Sequence, residues 1–396
     1  MSLRVKLAAQ SGTLRFVSRV CASLLLGLVA AGCGARETSL GAVTSPADAG
    51  VFVRAPAVAP LSVNRCRVRV GPQLPGECFG GSGPPPEQCV LAVRPDGGVS
   101  IVASVPTSGT RSIRRVHGLE AGRVVLEVAD VNQQGPATLG STGVDGGPVD
   151  VHLTAPASST FELVTVRPGG LDAIACEAGG RCALFDVSFG TAAVDVLEQV
   201  PAPGVESPIV RSKAGSRSWA AAAGAVVVRG GAASLVTARA PGPFAFDDDD
   251  SLFVTEGPSL VRVPMTGPAV TLSAALDEPR GVFLVGGYAL VVEARAVRAF
   301  PKQGGAPLVL YQLEPSDLGP LTAPRLVEGR LVFDQVCQAL TPSNLVSGNV
   351  ELDFTRGRSR WLNDEPSFPF VRGARPDAPG FKDVFVSPEV IVGLLE

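Results

Sequence analysis

The chain has 396 residues, 34 Lys and Arg against 37 Asp and Glu, a formal charge of −3, and 46 Gly and 34 Pro. That mildly acidic balance excludes the basic footprint that nucleic-acid binding needs. After residue 32 the longest alanine-rich apolar piece, Ala220 to Val228, is about half the ~18 to 20 residues of a transmembrane helix.

The first element is a leader. Basic Arg4, Lys6, Arg15 and Arg19 precede the apolar stretch Val20 to Ala31, which ends in Gly32-Cys33. Charged, apolar and small residues in that order make an export signal, and the apolar run is too short for a stable span. Leu28-Val-Ala-Ala-Gly-Cys33 resembles the lipobox of bacterial envelope lipoproteins, with Ala30 where Leu is commoner. The resemblance implies a signal peptide over 1–32, lipidation of Cys33 with palmitate as one acyl group, and attachment to a membrane through that lipid. Gly34 stands where such lipoproteins carry Asp when retained at the inner membrane, so the resemblance implies the outer membrane, on its periplasmic or cell-surface face. Losing the leader removes four cations and no anion, taking the charge from −3 to about −7. From Gly34 to about Pro60 the chain is Ala, Gly, Ser, Thr and Pro with few charges and no apolar periodicity, which predicts a flexible tether over 33–60.

Setting Cys21 and Cys33 aside leaves Cys66, Cys78, Cys89, Cys176, Cys182 and Cys337. An even count in an oxidising compartment predicts disulfides. Cys176 and Cys182 flank Glu177-Ala-Gly-Gly-Arg181, which reads as a hairpin turn that sets the two cysteines face to face within bonding reach. The pairing of Cys66, Cys78, Cys89 and Cys337 stays open. With His117 and His152 the only histidines, closely spaced zinc ligands are missing, and no metal or other cofactor is expected.

Between 61 and 156 short alternating runs are broken by turns. Cys89-Val-Leu-Ala-Val-Arg94 and Val99-Ser-Ile-Val-Ala103 flank Pro95-Asp-Gly-Gly98, a hairpin signal. Val124, Leu126 and Val128 share one face and Glu127 takes the other, and Val149, Val151 and Leu153 alternate with Asp150 and His152, so a half-buried antiparallel sheet is expected. Gly118 to Asp130 followed by Pro148-Val-Asp-Val-His-Leu153 resembles the end of Ig-like and carboxypeptidase-regulatory-like sandwich modules. The resemblance implies a β-sandwich spacer or docking module over 61–156; the same strands also suit extra propeller blades.

Beyond about Phe161 a repeat begins. Pro208-Ile-Val, Ser216-Arg-Ser-Trp-Ala, Ala225-Val-Val-Val228 and Ser234-Leu-Val-Thr237 are matched 35 residues on by Pro243-Phe-Ala-Phe, Ser251-Leu-Phe-Val-Thr-Glu256, Leu260-Val-Arg-Val263 and Ala269-Val-Thr-Leu272. A third copy starts at Pro279, and Ala173-Ile-Ala-Cys176 with Arg181 to Asp186, and Pro324-Arg-Leu-Val with Arg330 to Asp334, fit the first two strands of further units. Four short strands per unit at this spacing predict an all-β fold, a β-propeller over 157–396, because each blade's apolar faces can be covered only by its neighbours. Six blades are expected, with seven as the alternative. Asn349 to Glu396 supplies the last blade, and Phe161 to Val166 completes it and locks the ring. The best copies, Phe253-Val-Thr-Glu256 before Val261-Arg-Val-Pro264 among them, resemble Tyr-Trp-Thr-Asp and NHL-type propeller repeats of bacterial secreted proteins, with the aromatic pair reduced.

Chemistry-bearing residues are sparse. Asp247 to Asp250 could hold calcium through several carboxylates, but they fall between the first two strands of a unit, where the aligned copies carry Gly215 and Gly286, so a tight turn is expected. His152 is expected on a solvent-facing strand face, and His117 precedes a Gly-rich turn. Trp219 and Trp361 suit a blade core better than a sugar platform. Arg262 and Arg298 align in third strands, as a solvated face or an anion-capturing one. Gly80-Gly-Ser-Gly83 runs into prolines and lacks a phosphate loop's Lys. No residue is assigned a catalytic role. The resulting expectation is a non-catalytic, membrane-anchored lipoprotein whose propeller binds a protein or glycan partner at the envelope. The alternatives are a gluconolactonase-like metal-dependent hydrolase using Asp186, Glu256, Glu293 and Asp334, and a structural spacer in a surface assembly.

Overall fold

Among the described residues, runs of Val, Ala, Leu and Phe punctuated by Gly- and Asp-bearing turns fold into β-strands. The computed structural model describes residues 52–59, 87–93, 99–130, 135–191, 193–204, 208–237, 239, 241–317, 319–327, 329–341, 344–362, 381–386 and 390–395. Cys33 and the leader, Cys66, Cys78, residues 80–83 and the turn at 94–98 lie outside the described residues. Among those described, no helix is long and apolar enough to cross a membrane.

The strands form seven four-stranded sheets. β1 (Glu87–Val93) and β2 (Val99–Pro106) make the expected hairpin. The second sheet is β3 (Arg111–Glu120), β4 (Arg123–Asp130), β5 (Thr138–Gly143) and β6 (Asp150–Thr154). The third is β7 (Ser159–Arg167), β8 (Gly170–Glu177), β9 (Cys182–Ser188) and β10 (Ala193–Val200). The fourth is β11 (Val210–Arg211), β12 (Arg217–Ala221), β13 (Gly224–Arg229) and β14 (Ala232–Leu235). β15 (Phe244–Phe246), β16 (Leu252–Glu256), β17 (Ser259–Val263) and β18 (Val270–Ser273) follow as the fifth. The sixth is β19 (Gly281–Val285), β20 (Tyr288–Val292), β21 (Ala296–Pro301) and β22 (Leu308–Gln312), and the seventh β23 (Thr322–Val327), β24 (Arg330–Thr341), β25 (Asn344–Asp353) and β26 (Arg358–Trp361). β27 (Phe381–Val386) and β28 (Val390–Leu395) return to the beginning, β28 running parallel to β1 from Cys89 opposite Val390 to Val93 opposite Leu394. One sheet is thus built from both ends of the described chain, in the order β2-β1-β28-β27. This is a β-propeller.

Shared cores join successive sheets. Val124 and Leu126 of β4 pack with Val90 and Val102 of the first hairpin, while Val125 and Ala129 on the opposite face pack with Phe161, Leu171 and Phe185 of the third sheet. Trp219 fills the space between the third and fourth sheets, Val254 between the fourth and fifth, Phe253 between the fifth and sixth, and Phe333 between the sixth and seventh. Burying both faces of a sheet is what a blade does, whereas a sandwich leaves one face in water.

Three expectations are corrected by this arrangement. The segment 61–156 supplies no sandwich among its described strands: β1 and β2 complete a sheet with β27 and β28, and β3 to β6 form a separate one whose β4 is buried on both faces, Glu127 included. Phe161 to Val166 lies in β7, the first strand of the third sheet, so it pairs with β8 and closure falls to β28 instead. Residues 52–59, read as part of a tether over 33–60, are instead built into the fold, with Phe52, Ala55 and Val58 buried in the core of the sixth and seventh sheets. There the Val53 amide donates to Phe354 O at 2.9 Å, the Ala55 amide to Leu310 O at 2.7 Å and Trp361 Nε1 to Ala59 O at 2.9 Å, while Phe52 meets the Tyr288 ring edge-on.

Candidate functional site

The most highly charged cluster arises at the junction of the third and fourth sheets. In the register of β8 against β9, Asp172 faces Asp186, two like charges placed directly opposite. In β11 against β12, Arg211 faces Arg217. The arginine pair meets the aspartate pair: Arg217 Nε donates to Asp172 Oδ1 at 2.8 Å, Arg211 Nη1 stands 3.2 Å from Asp172 Oδ1 and 3.1 Å from Asp186 Oδ2, and Arg217 Nη2 also bonds Asp186. Arg167, at the end of β7, adds a third guanidinium against Asp186 and approaches Asp172 Oδ2 to 3.6 Å. The carboxylates lie beneath, Asp172 at 1 % exposure, and the guanidiniums lie above, Arg211 at 30 %.

Three cations over two anions leave one positive charge in excess. Burial lowers the Arg167 pKa, with Asp172 opposing and Arg211 adding to the effect. Its Nε is buried and finds no hydrogen-bond acceptor among the described residues. Beside the cluster opens a cleft of about 560 Å³, lined by exposed Pro168 and buried Val166 and Ile209, by cationic Arg167, Arg211 and Lys213, and by the Asp172 carboxylate. The Ile209 amide donates to Thr165 Oγ1 at 2.8 Å and so fixes the cleft's two walls together.

From Lys213 the charges continue along the turns that link first and second strands. Asp248 pairs with Lys213 at 2.7 Å, Asp250 with Arg229 at 3.2 Å, Asp249 with Arg262 at 2.7 Å and Asp247 with Lys302 at 2.6 Å. The four aspartates therefore form the expected turn, each engaged by a different cation drawn from three sheets. Arg262 and Arg298, weighed as anion-capturing, are held by Asp249 and Glu293 and lie over the rings of Phe253 and Phe300.

The carboxylates considered for a hydrolase do not meet one another. Asp186 belongs to the arginine cluster, Glu293 accepts the Asp277 amide at 2.7 Å and pairs with Arg298, and Asp334 lies 4.0 Å from Arg325. Glu256 ends β16, partly exposed. No group of three or more His, Cys, Asp or Glu among the described residues stands as a metal-binding set. His152 is more enclosed than expected, half-buried and stacked on Phe189 with its Nε2 2.8 Å from Ser141 Oγ, and His117 is buried 3.3 Å from Glu127. Burial, then the charge of Arg123, lowers the His152 pKa. Cys176 and Cys182 face each other across β8 and β9 and are disulfide-bonded, with Cα atoms 4.1 Å apart. Cys89 is disulfide-bonded too. Trp219 is a core residue; Trp361 instead lies against residues 52–59.

The arginine cluster was missed in the sequence. Its one signal is an arginine at the end of the first strand in two successive units, Arg167 and Arg211, which marks the same corner of adjacent blades.

No family model matches the chain. No curated protein matches it either. Among solved structures, it is similar to a prolyl endopeptidase at 12 % identity and TM-score 0.47, covering 71 % of this chain and 45 % of that one. It is also similar to an oligogalacturonate lyase in complex with manganese, at 14 % identity and TM-score 0.47, covering 76 % and 93 %. TolB from Acinetobacter baumannii follows at 13 % identity and TM-score 0.35, covering 63 % and 81 %. The chain spans less than half the length of the endopeptidase. The propeller assignment rests on the strand order and shared cores above.

Proposed function

We propose that the chain is a non-catalytic envelope lipoprotein, anchored in the outer membrane through Cys33, whose seven sheets act as the blades of a ring that binds a protein or glycan partner. The observation that carries the binding reading is the cleft between the third and fourth sheets, where three arginines over two aspartates present one cation in excess. A concave site with few polar groups on a fixed scaffold suits recognition. Of the carboxylates available for a metal-dependent hydrolase, Asp186, Glu293 and Asp334 are tied to arginines in separate places and Glu256 stands apart at the end of β16, which weighs toward binding.

Two experiments test it. Envelope extracts passed over the immobilised full chain should yield the same partner in independent preparations, and repeated failure to recover one sinks the binding reading. Labelling with a palmitate analogue should mark the wild type and vanish in Cys33→Ala; label retained in the variant refutes the anchor.

A further inference from the structure

We propose that the cleft at Arg167, Arg211 and Lys213 binds a small ligand through its oxyanion group, a carboxylate or a phosphate, with the rest of the ligand against Pro168. This deepens the binding reading above and rests on it.

The argument starts from hydrogen-bond capacity. Three guanidiniums offer about fifteen N–H donors and two carboxylates accept about eight, so the cluster holds more donors than its own acceptors can use. Part of the surplus goes to main-chain oxygens, as from Arg167 to Val187 O at 3.3 Å and to Pro168 O at 3.4 Å. Arg167 Nε, buried 3.6 Å from Asp172 Oδ2, has no hydrogen-bond acceptor among the described residues, which marks the cluster as short of acceptors. The facing Asp172 and Asp186 engage all three guanidiniums and neutralise two of them in number, so the cluster as a whole keeps one positive charge.

Position agrees with capacity. Arg211, the most exposed of the three, and Lys213 stand on one wall and Arg167 on the other. Planar guanidinium forks match the paired oxygens of carboxylate and phosphate, and Lys213 supplies a mobile point charge from an exposed turn. Lys213 shares its charge with Asp248 in a solvent-facing pair, which an arriving anion can compete for. A cleft of about 560 Å³ accepts a ligand the size of an acidic sugar or a phosphorylated one.

The test is calorimetric titration of the full chain, in detergent, with inorganic phosphate, malonate and glucuronate, and with glucose as the uncharged control. At least one anion should bind saturably and glucose should not. Phosphate alone would mark a phosphorylated ligand, and malonate or glucuronate alone a carboxylate one. Arg211→Gln should weaken the bound anion about tenfold, with a retained cooperative melting transition, lowered by the lost contact to buried Asp172, showing that the fold survives. Should that variant fail to fold, Lys213→Gln on its exposed turn carries the same expectation of weakened binding. No saturable anion, or equal affinity in the folded variant, overturns the proposal. Anion binding with no partner recovered from envelopes would keep the cleft and sink the partner reading, so the two fail separately.

Discussion

Asp250 shows what single residues do in this fold. Its φ is 63°, and the corresponding turns of the flanking sheets have Gly215 at 90° and Gly286 at 53°. Aspartate tolerates that left-handed region better than most side chains, but glycine adopts it at no steric cost. What aspartate adds is a buried carboxylate that accepts Ser216 Oγ–H at 2.7 Å and Arg229 Nε at 3.2 Å, fastening the fourth sheet to the fifth. Asp250→Asn keeps the turn and removes the charge, and should cost about 2 kcal/mol in denaturant unfolding, the value of a hydrogen-bonded buried ion. Asp248→Asn, at a solvent-exposed pair on the same turn, should leave the midpoint unchanged; equal losses in the two variants would show that the turn, not the buried contact, is what matters. The turn was legible because its place in the 35-residue repeat is occupied by glycine in the other copies. The arginine cluster was not, because Asp172 meets Arg211 and Arg217 about 40 residues away, and nothing local to either segment announces the other.

A strand's sequence shows that it is a strand more readily than which strand it joins. The units from Pro208 to Leu310 were read in correct register, since each carries its own tight turns. The third sheet was read one strand out of step: β7 has the same alternation as any first strand, and only pairing with β8 assigns it. Alternation likewise predicted half-buried strands near Val124, but a residue pattern cannot reveal that a second sheet covers the other side. Cross-strand contacts also set the response to acid. Glu351 on β25 lies between Arg330 on β24 at 3.2 Å and Arg360 on β26 at 2.9 Å. Burial pushes its carboxyl up, but the hydrogen bonds from Arg360 and Arg330 outweigh burial and hold its pKa below the ordinary value of 4.5. Asp353 on the same strand is also lowered, burial again being overcome by hydrogen bonds from Thr355 and the Arg356 amide. A depressed carboxyl stabilises the fold fully above its unfolded pKa and loses that contribution as pH falls through the folded one. The melting temperature should therefore drop as pH descends below about 4.5, and Glu351→Gln should flatten part of that descent while lowering stability near neutrality. A variant whose pH profile parallels the wild type at all pH values would remove Glu351 from the account.

At the scale of the molecule, both ends of the described chain are built into the propeller. β28 pairs in parallel with β1 across about 300 residues of sequence, and residues 52–59 lie along the sixth and seventh sheets. Parallel neighbours inside an otherwise antiparallel sheet arise here because the two strands come from opposite ends and no hairpin constrains their direction. β27 and β28 complete the sheet of the hairpin β1-β2, which packs on β4 of the next sheet. Removing residues 363–396 deletes β27 and β28 while sparing every strand before them. The truncated chain should lose its single cooperative transition, bind a hydrophobic dye, and aggregate through the freed edge of β1. Truncating only after Leu395 should change nothing, since Glu396 follows the last strand. If the shorter chain instead unfolds in one transition at the full-length midpoint, closure contributes no stability, and the shared cores between successive sheets must hold the propeller on their own. The distinction bears on binding as well. A cleft between the third and fourth sheets keeps its arginine pair facing its aspartate pair only while those sheets cannot slide apart. Anion affinity in the truncated chain should therefore fall together with its cooperativity, although every residue of the cleft is still present.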